Sequence, residues 1–359
     1  MEQLNAYLAN LDNLVQESAK DDKNQYSHPA LKNLGAVSVV LLREAIGPVI
    51  FRNAEEEITD IEWNGQVHVR AVPNKFKYVE RGRGLQVLRY FKAGGAQPQN
   101  KTLLRSGQKP SEAFDLNTLV FGDSAMRGGN TVLPVKTAVN YSDALSLKPK
   151  EACVDETFHN RAAEDGTLYD AADKKNSDNL FNRHFVSPGT LMVQVLSTRG
   201  QVLPLEGLEH LLLCIGLAGT YGGQTSVTGT NIRTHMVGIY ADRFEREESS
   251  PYVLLQRLAE SGAAFGTPEA ATNALHNILA PVHKVSIPAQ SAQAQVAGLL
   301  ERFESDELRQ QYQRAKTQVG GLFDAWFGDG KKEKKSKKTE TAAPEAEPSL
   351  LDVGAGGEA

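Results

Sequence analysis

Leu4, Leu8, Leu11 and Val15 recur at helical spacing, so residues 1–30 open as an amphipathic helix followed by the polar run Lys20 to Ser27. Gly35 to Ile46 is a compact apolar run rich in valine, which predicts a buried strand. A short strand is expected at Gln66 to Val72, and helices at Leu85 to Phe91 and Pro110 to Thr118. Leu133 to Tyr141 alternates, with Val135, Thr137, Val139 and Tyr141 on one face, as a half-buried strand does. From Lys148 to Arg183 the chain is polar with little periodicity, a long excursion from the core. Order resumes with a strand at Leu191 to Leu196, a helix at Pro204 to Tyr221 with proline in its first turn, and a strand at Thr234 to Tyr240. Helices are expected at Tyr252 to Ala263, Pro268 to Leu279 and Ala292 to Gln318.

The core order is therefore strand, helix with an insertion, strand, strand, helix, strand. That is the βαββαβ order of α+β folds of the ferredoxin-like and RRM-like kind, an antiparallel four-stranded sheet with helices on one face. One such domain is expected over residues 1–330, with insertions at about 47–117 and 148–185 and helices at its C-terminal end. RRM-type sheets bind single-stranded RNA.

The composition is that of a soluble protein: 359 residues, 40% hydrophobic, with no apolar run long enough for a membrane span. The N-terminus lacks a signal-peptide pattern, so a cytoplasmic location with no membrane partner is expected, and Cys153 and Cys214 cannot build a disulfide framework. A net charge of −5 counts against a polyanionic partner until the charges are located. Arg70 to Lys109 carries ten basic residues and one acid, Glu80; this +9 island leaves −14 on the rest of the chain. Such asymmetry is the footprint of a nucleic-acid surface. After Gly330 six lysines and six acids cancel, in a segment too poor in large apolar residues to fold, so residues 331–359 are expected to form a disordered charged tail.

Within the island, Lys75-Phe76-Lys77-Tyr78 interleaves aromatics with cations. It suits either a backbone groove with stacking platforms or an exposed strand edge with Phe76 in the core. Arg127, in the turn Met126 to Asn130, could reach a phosphate or belong to a plain loop. Cys153, His159 and His184 fall in the polar excursion without CxxC or HxxxH spacing, and no metal or cofactor is expected. Walker, HExxH and GxSxG motifs are absent, so no catalytic residue is assigned.

Three passages together resemble the RAMP superfamily: Thr118 to Ala125, His184 to Thr190, and Gly219 to Gly223 running on to Gly229. The chain looks most like the backbone subunit of type I-D CRISPR surveillance (Cascade-type) complexes. The resemblance implies a palm, finger and thumb protein that polymerises along a guide CRISPR RNA and presents it for pairing with a target DNA or RNA strand in antiviral defence. Its implied partners are further copies of itself, the large subunit, the guide 5′-end cap subunit and the guide-processing subunit. By the same resemblance Arg81, Gly82, Arg83, Gly84 and Arg89 form a phosphate-holding loop ahead of the first helix, and Gly222, Gly223 and Gly229 a glycine-rich loop near the guide. Residues 150–185 fall at the thumb, and the basic insertion at the finger. Related subunits cut target RNA with an aspartate in the loop after the first strand. Here that loop, Arg43 to Pro48, has only Glu44, so the enzymatic alternative, a metal-dependent RNA nuclease using Glu44 or Asp123, is the second reading. A third is a scaffold whose basic island docks an acidic protein.

Overall fold

The structure is a computed structural model that describes residues 1–17, 34–51, 59–96, 102–104, 108–127, 131–160, 169–170, 174–176, 180–198, 200–223 and 225–327. The charged tail and residues 128–130 of the Met126 to Asn130 turn lie outside the described residues. The helices are α1 (Leu11–Glu17), α2 (Asn74–Tyr90), α3 (Leu116–Phe121), α4 (Leu205–Gly216), α5 (Thr225–Thr228), α6 (Pro251–Ser261), α7 (Pro268–Leu279), α8 (Ala289–Glu301) and α9 (Asp306–Phe327). The strands are β1 (Ala36–Ala45), β2 (Asp60–Trp63), β3 (Gln66–Ala71), β4 (Thr102–Leu104), β5 (Asp123–Arg127), β6 (Thr131–Val135), β7 (Val139–Pro149), β8 (Val154–Asn160), β9 (Tyr169–Asp170), β10 (Lys175–Asn176), β11 (Leu180–Val186), β12 (Leu191–Thr198), β13 (Ile232–Asp242) and β14 (Val285–Pro288).

Seven strands form one sheet in the order β14-β13-β1-β12-β7-β3-β2. Its four middle strands are antiparallel neighbours, and β1, α2, β7, β12, α4 and β13 follow the expected βαββαβ order along the chain. The sheet departs from the expected four-stranded pattern by the hairpin β2–β3 on one side and β14 on the other.

Helices cover both faces, not one. Alternate residues of β1 face opposite ways, as the pleat requires: Val37, Val39 and Leu41 pack with residues of α2, α3, α4, α8 and α9. Val40 and Leu42 pack with Leu254 and Leu258 of α6 and Leu275 and Leu279 of α7. Each such buried aliphatic side chain contributes about 1.5–3 kcal/mol of transfer free energy, so both layers are structural. The face on which RRM sheets bind RNA is thus occupied by the protein's own helices.

Several local expectations change for visible reasons. The N-terminal helix is split: Glu2–Leu4 forms one 3-10 turn, and the Asn10 side chain accepts from the amides of Asp12 and Asn13 to start α1 afresh. Pro110–Glu112 and α3 replace a single helix, because the half-buried Asp115 carboxylate caps α3 by accepting from Thr118 N at 3.0 Å. The strand expected over Leu133 to Tyr141 breaks at Lys136–Ala138, where the Thr137 hydroxyl donates to Val120 O at 2.8 Å and the chain passes from the small sheet β4-β5-β6 to the large one. The last expected helix is two, with Ser305 Oγ capping the start of α9. The polar excursion is not structureless: β8 and β11 pair antiparallel over seven residues as a two-stranded arm.

Candidate nucleic-acid interface

The expected phosphate loop at Arg81 to Arg89 is helical, being the middle and end of α2. Lys75, Phe76, Lys77 and Tyr78 are its first turns and not a strand edge. The helix tolerates two interior glycines because tertiary packing holds it: Phe76, Glu80, Gly84, Val87 and Leu88 form one buried stripe. A Cβ on Gly84 would lie 2.0 Å from Asn117 Oδ1 and 2.8 Å from His210 Nε2, so glycine here lets α3 and α4 approach α2 closely. Gly84 is therefore buried in packing against α3 and α4, whereas a Cβ on Gly82 would meet open space.

The sequence-derived residues divide into those that meet and those that do not. Lys75, Lys77, Arg81, Gly222 and Gly223 line one open groove of about 870 Å3, together with Asn74, Tyr78, Asp123, Ser124 and Thr137. Arg83 lies two positions beyond Arg81, about 200° around the helix, and donates to Gln86 Oε1 at 2.8 Å. Arg89 lies in the last turn of α2, its Nε donating to Gly95 O beyond the helix at 2.7 Å. Gly229 follows α5, its amide donating to Thr225 O at 2.9 Å, and does not line the groove. Arg127 ends β5, where its backbone pairs with Thr131. Among the described residues the basic island is consequently not one continuous surface; even Arg70, on β3, is paired with Asp143 at 3.0 Å.

On the helical wall, Lys77 and Arg81 stand one turn apart. Burial lowers the Lys77 pKa, and the Arg81 charge lowers it further, while burial alone lowers that of Lys75. Two cations held close and half-desolvated are a poor arrangement for a protein alone and a good one for an anion between them. Arg81 already meets one anion: Asp123 Oδ2 lies 2.7 Å from its Nη2, with both side chains only 10% exposed.

The opposite wall is the glycine loop. Gly222 has φ +82°, and a Cβ there would come within 2.5 Å of Ile50 O, so only glycine lets the loop lie on this segment. Gly223 N donates to the same carbonyl at 2.8 Å.

A buried network joins the two walls. Glu80, the one acid in the basic segment, accepts from Tyr221 Oη at 2.9 Å and Tyr141 Oη at 2.5 Å, and its Oε1 lies 2.7 Å from Arg43 Nη2. Arg43 also donates to Gln194 Oε1 and Thr234 Oγ1 and lies over the Phe76 ring at 4.6 Å. Burial and then the Glu80 charge push both tyrosines well above the ordinary phenol range, so they stay protonated donors. Sequence reading missed this centre, though a single glutamate among ten bases was its trace.

The candidate catalytic and metal residues are engaged or apart. Glu44, within β1, has its Oε2 2.7 Å from His235 Nε2 and 3.4 Å from Arg233 Nη1. Cys153 is buried in the core beside Val186 and Met192, while His184 is exposed on the arm opposite Glu156, and His159 has no described side chain. Among the described residues no group of three His, Cys, Asp or Glu is placed to hold a metal, and no helix is long and apolar enough to cross a membrane.

A family model described as Csc2 Crispr matches residues 25–308. The fold is similar to the crystal structure of Thermofilum pendens Csc2, with a TM-score of 0.60 and 16% identity over 91% of this chain and 95% of that one. Two structures described as a CRISPR RNA-guided surveillance complex, one of them pre-nicking, are similar at TM-scores of 0.47 and 0.46, with 11% and 12% identity over 73% of this chain and 99% of theirs. No curated protein matches.

Proposed function

The chain belongs to the Csc2 CRISPR family, and from that premise we propose that it is the guide-RNA-binding backbone subunit of a type I-D surveillance complex. Copies line up along the guide, hold its sugar-phosphate strand and leave its bases to pair with a target DNA or RNA strand. The large subunit, the 5′-end cap subunit and the guide-processing subunit complete the assembly. The subunit acts by binding and not by catalysis.

The observation that carries this reading is the groove between α2 and the glycine loop. It sets Lys77 and Arg81 one helical turn apart, opposite a backbone, Gly222-Gly223, without side chains to obstruct a strand. A single strand offers regularly spaced phosphates to such cations, and recognition through phosphates is indifferent to sequence, as a guide-holding subunit needs. The ion pairing of Glu44 and Asp123 favours the non-enzymatic form, since each carboxylate already has a cationic or imidazole partner.

The purified chain should bind single-stranded RNA with log K falling linearly as log salt rises. Changing Lys77 and Arg81 together to glutamate should abolish that binding in a protein that still unfolds cooperatively; unaltered affinity would remove the groove from the function. Incubating the assembled complex with complementary labelled RNA should leave it intact. Regularly spaced cuts lost on changing Glu44 or Asp123 would replace this reading with the nuclease.

A further inference from the structure

We infer that Asn74 and Tyr78 form a stacking site for one unpaired nucleobase, beside the phosphate-holding pair Lys77 and Arg81. The inference rests on the guide-RNA reading and adds to it a contact with a base.

The placement comes from helix geometry. Asn74 and Tyr78 are four residues apart and so lie in one row along α2; Lys77 and Arg81 form the adjacent row, and both rows open into the same groove. A nucleotide carries its phosphate and its base side by side. One held by the cationic row therefore brings its base over the neighbouring row.

Of the two aromatics in Lys75 to Tyr78 only Tyr78 is available. The Phe76 ring is fully buried, packed 5.5 Å from Phe51 and 5.2 Å from Tyr221 between centroids. Tyr78 is 70% exposed, more than any other large apolar side chain among the described residues. Its ring is left in water on the rigid first turns of a helix, beside cations, where the π face of a base would cover it. Every base has such a face, so the contact tolerates any guide sequence. Asn74, exposed one turn earlier, offers both a donor and an acceptor to the edge of a stacked base.

The test compares the full chain and its Tyr78→Ala, Tyr78→Phe and Tyr78→Trp variants on two probes of equal length, an oligouridine and an abasic strand with the same phosphates. Because Tyr78 packs against no core, all variants should melt with the parent chain. The expected result is a loss of about tenfold to a hundredfold for Tyr78→Ala on oligouridine, with an unchanged salt slope, no loss on the abasic strand, and retention by Phe and Trp. Equal binding of oligouridine by Tyr78→Ala and the parent chain would overturn the stacking site while leaving the phosphate groove in place. An equal loss on both probes would also overturn it, since the ring would then be acting without a base. A parent chain that binds neither strand would overturn this inference and the guide-RNA reading together.

Discussion

Arg43 Nη2 and Glu80 Oε1 lie 2.7 Å apart with neither side chain exposed at all. The pair joins the inner strand β1 to α2, and through Tyr221 it reaches the glycine loop. Burying two charges is costly, and removing one partner leaves the other uncompensated. Glu80→Leu should therefore destabilise the protein by about 3–5 kcal/mol, while Arg43→Met combined with Glu80→Leu should cost less than the single change. Urea denaturation of the three proteins measures both, and a double variant worse than the single one would show that the pair is favourable in itself.

On the proposed guide-RNA reading, Asp123 competes with RNA for Arg81, which it meets at 2.7 Å. Replacing it by asparagine should tighten single-stranded RNA binding and steepen the salt dependence by about 0.7 in log K against log salt, one additional phosphate contact. Fluorescence titration over a salt series reads both quantities. Weaker binding would mean that Asp123 orients Arg81 and does not mask it.

Charge reversal should separate the arginines that sequence places together. Arg83→Glu with Arg89→Glu should leave the salt slope of RNA binding unchanged, because Arg83 points about 200° away from Arg81 and Arg89 is tied to Gly95 O. A slope reduced by about 0.7 for each arginine, one lost phosphate contact apiece, would enlarge the interface to the whole of α2.

Two glycines of one helix should respond oppositely to alanine. Gly82→Ala meets open space and should stabilise by about 0.5–1 kcal/mol through lost unfolded-state freedom. Gly84→Ala drives a methyl into Asn117 and His210 and should cost about 1–3 kcal/mol. Thermal melts of the two variants decide it.

His210 is fully buried between Tyr312 Oη at 2.9 Å and Asn117 Oδ1 at 3.1 Å, and burial lowers its pKa to about 3. The folded pKa is below the unfolded one, so the unfolded chain binds the extra proton. Its contribution is complete above about pH 6.5 and is lost as pH falls towards 3, at up to about 1.4 kcal/mol per unit. Stability of the parent chain should fall more steeply from pH 6.5 to 4.5 than that of His210→Gln; parallel curves would refute the assignment.

Where the pattern of apolar residues was dictated by burial, the elements could be read directly. Gly35 to Ile46 contains β1, Leu191 to Leu196 lies within β12, and Pro268 to Leu279 is α7 with Thr267 as its cap. Where tertiary contacts overrode local preference, reading failed. The family resemblance puts Arg81 to Arg89 in a loop ahead of the first helix, and the low helix propensity of glycine agrees at Gly82 and Gly84, yet the close approach of α3 and α4 at Gly84 holds the segment helical. The arm β8–β11 carried no alternation because strands away from the core need none. Lys75, Lys77 and Arg81 were legible as a cationic cluster; that Asp123 faces Arg81 and that Arg43 sustains Glu80 depended on residues about 40 apart in sequence coming together.

The arm has a further consequence. Its seven register pairs, Val154 with Val186 through Asn160 with Leu180, span roughly 20 Å at about 3.4 Å per residue. Rooted in the core at Val154 and Val186 and extended from there by cross-strand pairing, such a ladder behaves as a ruler. Taking two residues from each strand would shorten it by about 7 Å and return every remaining side chain to its original face, whereas taking one from each would turn the outer half over. The length of the arm is thus divisible into steps of two residues, and insertions or deletions of that size change it without disturbing the sheet that carries the groove.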